Sequence, residues 1–238
     1  MDGLLPALLH PIVAGWRRAS DASWRRLPRP LGDPIAQAAG PDGLLVLLVG
    51  GGIAVGYGTA SHEVALGGYL ARRIGTLTGR GVTVHIQAGS NEQMSGAPRL
   101  LAPLRLSQYD AILATFGGGE SASFLSARHW RRHVETMLDF VRATGPNAPP
   151  VFISAVPLID SIPGVWGILA RRRAQQFNLQ SASACEGREA AFFVPIDSLD
   201  PRAQSRMNRD AYRAWADSLS PMIALVLNRA SSSSGTGI

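Results

Sequence analysis

Three glycines, Gly50, Gly51 and Gly52, close the apolar run LLVLLV at 44–49 and lead into a helix-like pattern. A strand-to-helix turn can wrap backbone N–H groups around a phosphate, or lift a nucleophile above a sheet edge. The phosphate chemistry fails on residue types. A Walker loop needs a Lys against the phosphate charge and a hydroxyl on magnesium, and every basic residue here is Arg. A dinucleotide turn needs glycine at its sixth place, where this chain has Val55. The acid expected about 20 residues later, at the end of a second strand, is also missing. A nucleophile turn is left, and it carries no side chain.

The remaining reactive types are few. Ser90, Ser121 and Ser123 fall in loops, and the histidines are His10, His62, His85, His129 and His133. Ser61 and His62 adjoin, but neighbours on a helix point apart, so they read as a helix cap and a surface ring. His129 and His133 have a spacing that can hold a metal. Arg128, Arg131 and Arg132 interleave with them, so a charged, solvated face is expected and no metal site. His85 alternates with Val84 and Ile86 and reads as a partly buried, satisfied ring. Cys185 falls in a late helix and reads as inert; one cysteine excludes an internal disulfide. No cofactor is expected.

Composition narrows the classes further. The chain has 238 residues, is 46% hydrophobic and carries a net charge of +6. That suits one α/β domain with a core of its own. The charge sits in scattered Arg pairs and one triplet, Arg171–Arg173, without the aromatic interleaving of a nucleic-acid module. No nucleic-acid partner is expected. Residues 1–40 read as a Pro- and Arg-rich leader. Its apolar part, Leu4 to Trp16, is about 13 residues, too short to span a bilayer. Trp16, Trp24 and Arg pairs follow it, which fits either an interfacial anchor or a helix packed on the domain. A cytoplasmic location is expected, with peripheral membrane contact through this leader as the added option.

The elements that must position these groups alternate. Buried or alternating strands are expected at 44–49, 82–89, 111–116, 151–157 and 191–197. Helices are expected at 61–78, 92–106, 127–144, 168–186 and 210–227, with a flexible tail at 231–238. This predicts an α/β fold, a three-layer α/β/α sandwich around a flavodoxin-like, mostly parallel five-stranded sheet spanning 41–230. Its loops at 50–58, 88–94, 117–123, 157–165 and 198–209 would gather at the carboxyl edge.

The stretch LLVLLVGGGIAVGYGTASHEVALGGYLARRI resembles the first block of the SGNH (GDSL-type) hydrolases. YDAILATFGGGES is similar to the third block, SARHWRRHVETMLDFVR to the helix after it, and AYRAWADSL to the helix after the last block. The resemblance runs from about Leu44 to Leu227. It implies ester or acyl hydrolysis on the flavodoxin-like sandwich. It places Gly52 where the family has its nucleophilic Ser, and Gly51 where it has Asp. Glu92 takes the place of the oxyanion Gly, and Gly119 that of the oxyanion Asn, with Glu120 for the following Asp. Arg206 falls at the general-base His and Ala203 at the Asp that orients it.

These substitutions remove the reaction's parts. A serine hydrolase needs a hydroxyl, a base near neutrality and oxyanion donors. Glycine supplies no nucleophile, and Arg stays protonated. No histidine follows residue 133, so no terminal Asp-x-x-His exists. The expectation is a catalytically inactive, SGNH-like binding or partner module. Its occupant would be an acyl or sugar ligand, or an active paralogous hydrolase. Ligand contacts are expected among Gly51, Gly52, Ser90, Glu92, Gly119, Glu120 and Arg206. Glu92, Glu120 and Arg206 are expected to converge, as an ion-pair cluster or as a polar ligand site. The alternative is an active esterase, lipase or acyltransferase with a displaced nucleophile.

Overall fold

The computed structural model describes residues 27–122, 125–158, 164–196, 199 and 206–234. The leader to residue 26, with His10, lies outside them. So do Ser123, Ala203 and the last four residues.

Each run of buried branched residues becomes a strand. Strand β1 is Ile35–Ala38, β2 Leu44–Gly50, β3 Val82–Ala88, β4 Ala111–Thr115, β5 Val151–Ser154 and β6 Ala191–Val194. Between them lie helices α1 (Leu66–Thr78), α2 (Ala97–Leu101), α3 (Gly118–Ser121), α4 (Ala127–Arg142) and α5 (Gly164–Cys185). Helix α6 (Arg209–Ser234) closes the chain. The sheet order is β1-β3-β2-β4-β5-β6. All neighbours pair parallel except β1, which runs antiparallel to β3. The five parallel strands have the flavodoxin-like order, whose direction of winding reverses between β2 and β4. A ligand crevice is expected at that switch point.

Two apolar layers fill the sheet's faces. On one side α1 and α6 pack Leu66, Leu70, Ile74, Trp215, Leu219 and Ile223 over Val46, Leu48 and Val84. On the other, Trp130, Val134, Met137 and Phe177 of α4 and α5 cover Leu47, Val49, Ile112 and Ile153. Alternate residues of β2 serve the two layers, which is why its sequence is a continuous apolar run. Trp130 stacks on Phe177 with ring centroids 4.7 Å apart, and its indole N–H donates to Ser181 Oγ at 2.9 Å.

The five expected strands are present, and the described residues add a sixth. The extra strand, β1, lies in the stretch read as leader. It has four residues, follows Pro34 and buries only Ala36 fully, so it carries almost no apolar alternation to read. The first helix also differs. Its start, His62–Val64, is a separate 3-10 turn, and the α-helix begins at Leu66. Helix α5 begins at Gly164, four residues before the expected 168, and α6 continues to Ser234 despite Pro221. Among the described residues, no helix is long and apolar enough to cross a membrane.

Cys185 is 6% exposed, at the end of α5 opposite the sheet's carboxyl edge. Burial pushes its thiol up to about 11, against the pull of Arg188. Folded protein treated with iodoacetamide at about pH 8 should therefore stay unlabelled while denatured protein labels fully. Mass spectrometry of the two samples checks this, and equal labelling would contradict the burial.

Candidate functional site

The three glycines at the end of β2 do different jobs. Gly50 has φ of 154°, and a Cβ there would collide with the Thr115 carbonyl oxygen and press on the Thr115 hydroxyl at 2.6 Å. The lack of a side chain lets the ends of β2 and β4 touch. At Gly51 a Cβ would come within 2.9 Å of the Glu92 carbonyl oxygen. Gly52 has φ of 52°, in the left-handed region, and a Cβ there would meet no atom of the described residues within 4 Å. The position that the resemblance gives to the nucleophile is thus open among the described residues. Gly119 is similarly open, with no described atom within 4 Å of its Cβ position.

Hydrogen bonds draw the loops into one edge. Gly51 N–H donates to Thr115 O at 3.0 Å, and Gly89 N–H donates to Gly50 O at 3.1 Å. These join the ends of β2, β3 and β4. The last block is tied in from the α6 side. Tyr212 O–H donates to Tyr57 O at 2.7 Å, and a Cβ at Gly58 would strike the Met207 carbonyl oxygen. Burial keeps the Tyr212 phenol protonated far above its ordinary range, with Tyr57 adding to the shift.

Glu120 is the central polar group. It is 5% exposed. Its Oε1 accepts the Met94 N–H at 2.8 Å, and its Oε2 accepts the Gly117 N–H at 2.7 Å. One buried carboxylate therefore joins the loop after β3 to the loop after β4. Charge-assisted bonds of this kind are about twice as strong as neutral ones, and they satisfy two otherwise orphaned donors.

The expected cluster of Glu92, Glu120 and Arg206 does not form as ion pairs. Glu92 pairs with Arg99 at 3.4 Å, Glu120 is bound to backbone amides, and Arg206 is exposed. The physical reason is local. Arg99 lies seven residues along from Glu92 in the same loop-helix segment, and Glu120 is drawn to the Met94 and Gly117 N–H groups. Ser90 is exposed on the turn after β3, beside the carboxyl edge, and Ser121 is buried with its hydroxyl donating to Gly118 O at 2.9 Å.

The described histidines have local partners or neighbours. His85 Nδ1 lies 3.1 Å from Tyr109 Oη, matching a satisfied, partly buried ring. Desolvation holds His62 below its ordinary value, with Glu63 opposing. His133 is lowered by burial first, then by His129 and Arg132. Among the described residues no three metal-binding side chains cluster.

One Ser–His pair was not anticipated. Ser126 Oγ lies 2.8 Å from His129 Nδ1 and accepts the His129 N–H at 3.3 Å. Ser126 is the N-cap of α4. Its legible signal was a Ser directly before the helical pattern, the usual capping position. A further group, the Thr115 hydroxyl beneath Gly50, is buried without a partner among the described residues. Nothing in the sequence marked it, because it is the last residue of an apolar strand.

No family model matches the sequence, and no curated protein matches it. Solved structures do match in shape. A family two carbohydrate esterase from Clostridium thermocellum, an active-site mutant, superposes with a TM-score of 0.56 at 14% identity, covering 80% of this chain and 65% of that one. This chain thus spans less than two thirds of that esterase. A lipase/acylhydrolase from Enterococcus faecalis gives 0.56 at 17%, covering 77% and 96%. A protein of the G-D-S-L family from Desulfitobacterium hafniense gives 0.55 at 9%, covering 74% and 98%. The fold is the one these SGNH-type hydrolases, esterases and lipases share.

The site's supports can be separated from its open positions. Glu120→Gln keeps one acceptor and turns an amide against a buried N–H, so it should cost about 3 kcal/mol. Gly50→Ala should cost at least as much, because the clash is with backbone. Gly119→Ala should change stability by less than about 0.5 kcal/mol. Urea midpoints of the three variants check the ranking. A destabilised Gly119→Ala, or a neutral Glu120→Gln, would contradict these roles.

Proposed function

We propose that this chain is a non-hydrolysing protein on the SGNH-type scaffold, a module that binds a ligand or a partner without turning it over. The observation that carries this reading is the open glycine at Gly52, where a nucleophilic hydroxyl would have to stand. Gly119 likewise offers no side-chain amide for an oxyanion, and Arg206 stands where the resemblance puts the base. Acyl transfer by such a site needs nucleophile, base and oxyanion donors acting together.

The same openness supports ligand binding. The residues that the resemblance puts at the site, exposed Ser90, partly exposed Glu92 and exposed Arg206, carry the polar groups that a sugar or an acyl carbonyl would need. One structural neighbour, the Clostridium thermocellum esterase, was solved with cellohexaose. A sugar is therefore the first ligand class to try by calorimetry, and an acyl ester the second. An active paralogous hydrolase is the partner class this reading admits.

A second reading rests on the Ser126–His129 contact. That pair would be a displaced nucleophile and base. Two features weigh against it. Both residues are exposed, and the Ser oxygen already accepts a backbone N–H as a helix cap. The neighbouring charges, Arg132 and His133, are cationic or titratable to cationic and would oppose a developing imidazolium.

Purified protein should hydrolyse p-nitrophenyl acetate no faster than a heat-killed control and should take no label from a serine-directed fluorophosphonate. Gly52→Ser alone should not restore turnover, because no base follows. Turnover and labelling that disappear in Ser126→Ala would overturn the proposal in favour of the displaced site.

A further inference from the structure

Helix α5 is gripped at the level of the sheet's carboxyl edge. Asn178 Oδ1 accepts the Val156 N–H at 2.6 Å, and its Nδ2 donates to Val156 O at 3.2 Å, just beyond the end of β5. The segment from Gly164 to Phe177, about 14 residues, therefore continues for roughly 20 Å past that level. Its inner face buries Gly167, Ala170 and Ala174, with Ala170 packed against Ala122 and Trp166. Its outer face is exposed among the described residues. Val165 is 66% exposed, Ile168 46% and Leu169 43%.

The outer face is graded. Its apolar residues occupy the tip. Arg172 follows one turn closer to the domain and is exposed, and then Gln175 and Gln176, also exposed. Helix α5 contains no Asp or Glu along its whole length. The start of α4 lies beside it through the Trp130–Phe177 stack, and there Arg128 and Arg132 are exposed. An apolar tip above a collar of guanidinium groups is the arrangement of an interfacial helix on an anionic bilayer. The tip enters the acyl boundary, and Arg172 meets headgroup phosphates with its stem along the apolar zone. Arg128 and Arg132 stand within roughly a Debye length of that level and add long-range attraction.

The chain's entry point is at the same edge. Leu27 is the first described residue, and the Pro28 carbonyl accepts the Gly58 N–H at 2.8 Å, beside the loop that follows β2. The 26 residues before it, with the apolar run and its flanking Trp and Arg residues, join here. A second copy of the chain is a poorer occupant, because it would bring together two basic helix ends, neither with an acid of its own.

We propose that the overhanging end of α5, with Val165, Ile168 and Leu169 at its tip and Arg172 at its collar, docks the protein on anionic lipid bilayers. The carboxyl edge and its glycine turns then face the membrane. This inference does not depend on whether the cleft turns over a substrate.

Flotation of the full chain tests it, using vesicles of phosphatidylcholine alone and of phosphatidylcholine mixed with phosphatidylglycerol. The wild type should float with the mixed vesicles and not with phosphatidylcholine alone, and added salt should weaken binding. The triple variant V165S/I168S/L169S should lower the partition coefficient about tenfold. Arg172→Glu should lower it at least about fivefold. These positions are exposed, so far-UV circular dichroism and the urea midpoint should not change. The proposal is overturned if the wild type floats with neither vesicle, or if folded variants float as well as the wild type. It is also overturned if light scattering finds a wild-type dimer that the triple variant converts to monomer, since the patch would then be an interface between copies.

Discussion

The contact between the ends of β2 and β4 sets the geometry of the whole edge. Gly50 reaches the backbone of Thr115 at a distance no other residue could tolerate. With that approach made, Gly51 N–H finds Thr115 O and Gly50 O receives Gly89 N–H. Three strands are then locked at the point where the sheet reverses its winding. Glu120 extends the lock by joining Met94 and Gly117. Its burial gives the loops their shape, since two orphaned amides in an apolar setting would each cost about 1–3 kcal/mol.

This division between packed and open glycines could not be read from the run GGG. The sequence shows three identical residues, and only the fold shows that the first is forced by a neighbouring strand and the third by nothing nearby. The parallel strands were legible because β2, β4 and β5 are buried on both faces and so are continuously apolar. Strand β1 was not legible, since four residues on a sheet edge owe their conformation to pairing with β3 and not to their own pattern. Glu120 was legible as a polar residue in a site loop, but its role was not. A carboxylate beside three glycines reads as an exposed ligand group until the amides that face it are in place. The Ser126 cap was legible as a Ser directly before the helical pattern, but its contact with His129 depends on the turn it caps.

Charge follows a similar logic. A count of Arg residues describes an evenly basic chain, and the pairs along the sequence look scattered. In the fold many of them are tied locally. Arg72 pairs with Glu63, Arg73 with Asp217, Arg131 with Glu135 and Arg188 with Asp139. Such exposed pairs contribute little to stability, about 0–1 kcal/mol each, yet each offsets the charge of its own Arg. Because α5 has no acid of its own, its guanidinium at residue 172 keeps its field toward solvent. Sequence spacing alone would not separate this Arg from its neighbours.

The groups at the edge also differ in how easily they could be lost or gained. Gly50 and Glu120 take part in contacts that hold loops together, so changing either disturbs the fold whatever the protein binds. Gly119 has no described atom within 4 Å of a side-chain position, so its identity has little bearing on stability, and at Gly52 only the left-handed backbone, with φ of 52°, resists a side chain. A scaffold of this kind can keep its shape while its chemistry changes entirely, because shape and chemistry rest on different residues. The resemblance gives the base's place to Arg206, and a guanidinium, which keeps its proton in ordinary conditions, lacks the form a general base requires. What Arg206 can do at an exposed edge is attract a negative or strongly polar group, which is recognition and not proton transfer.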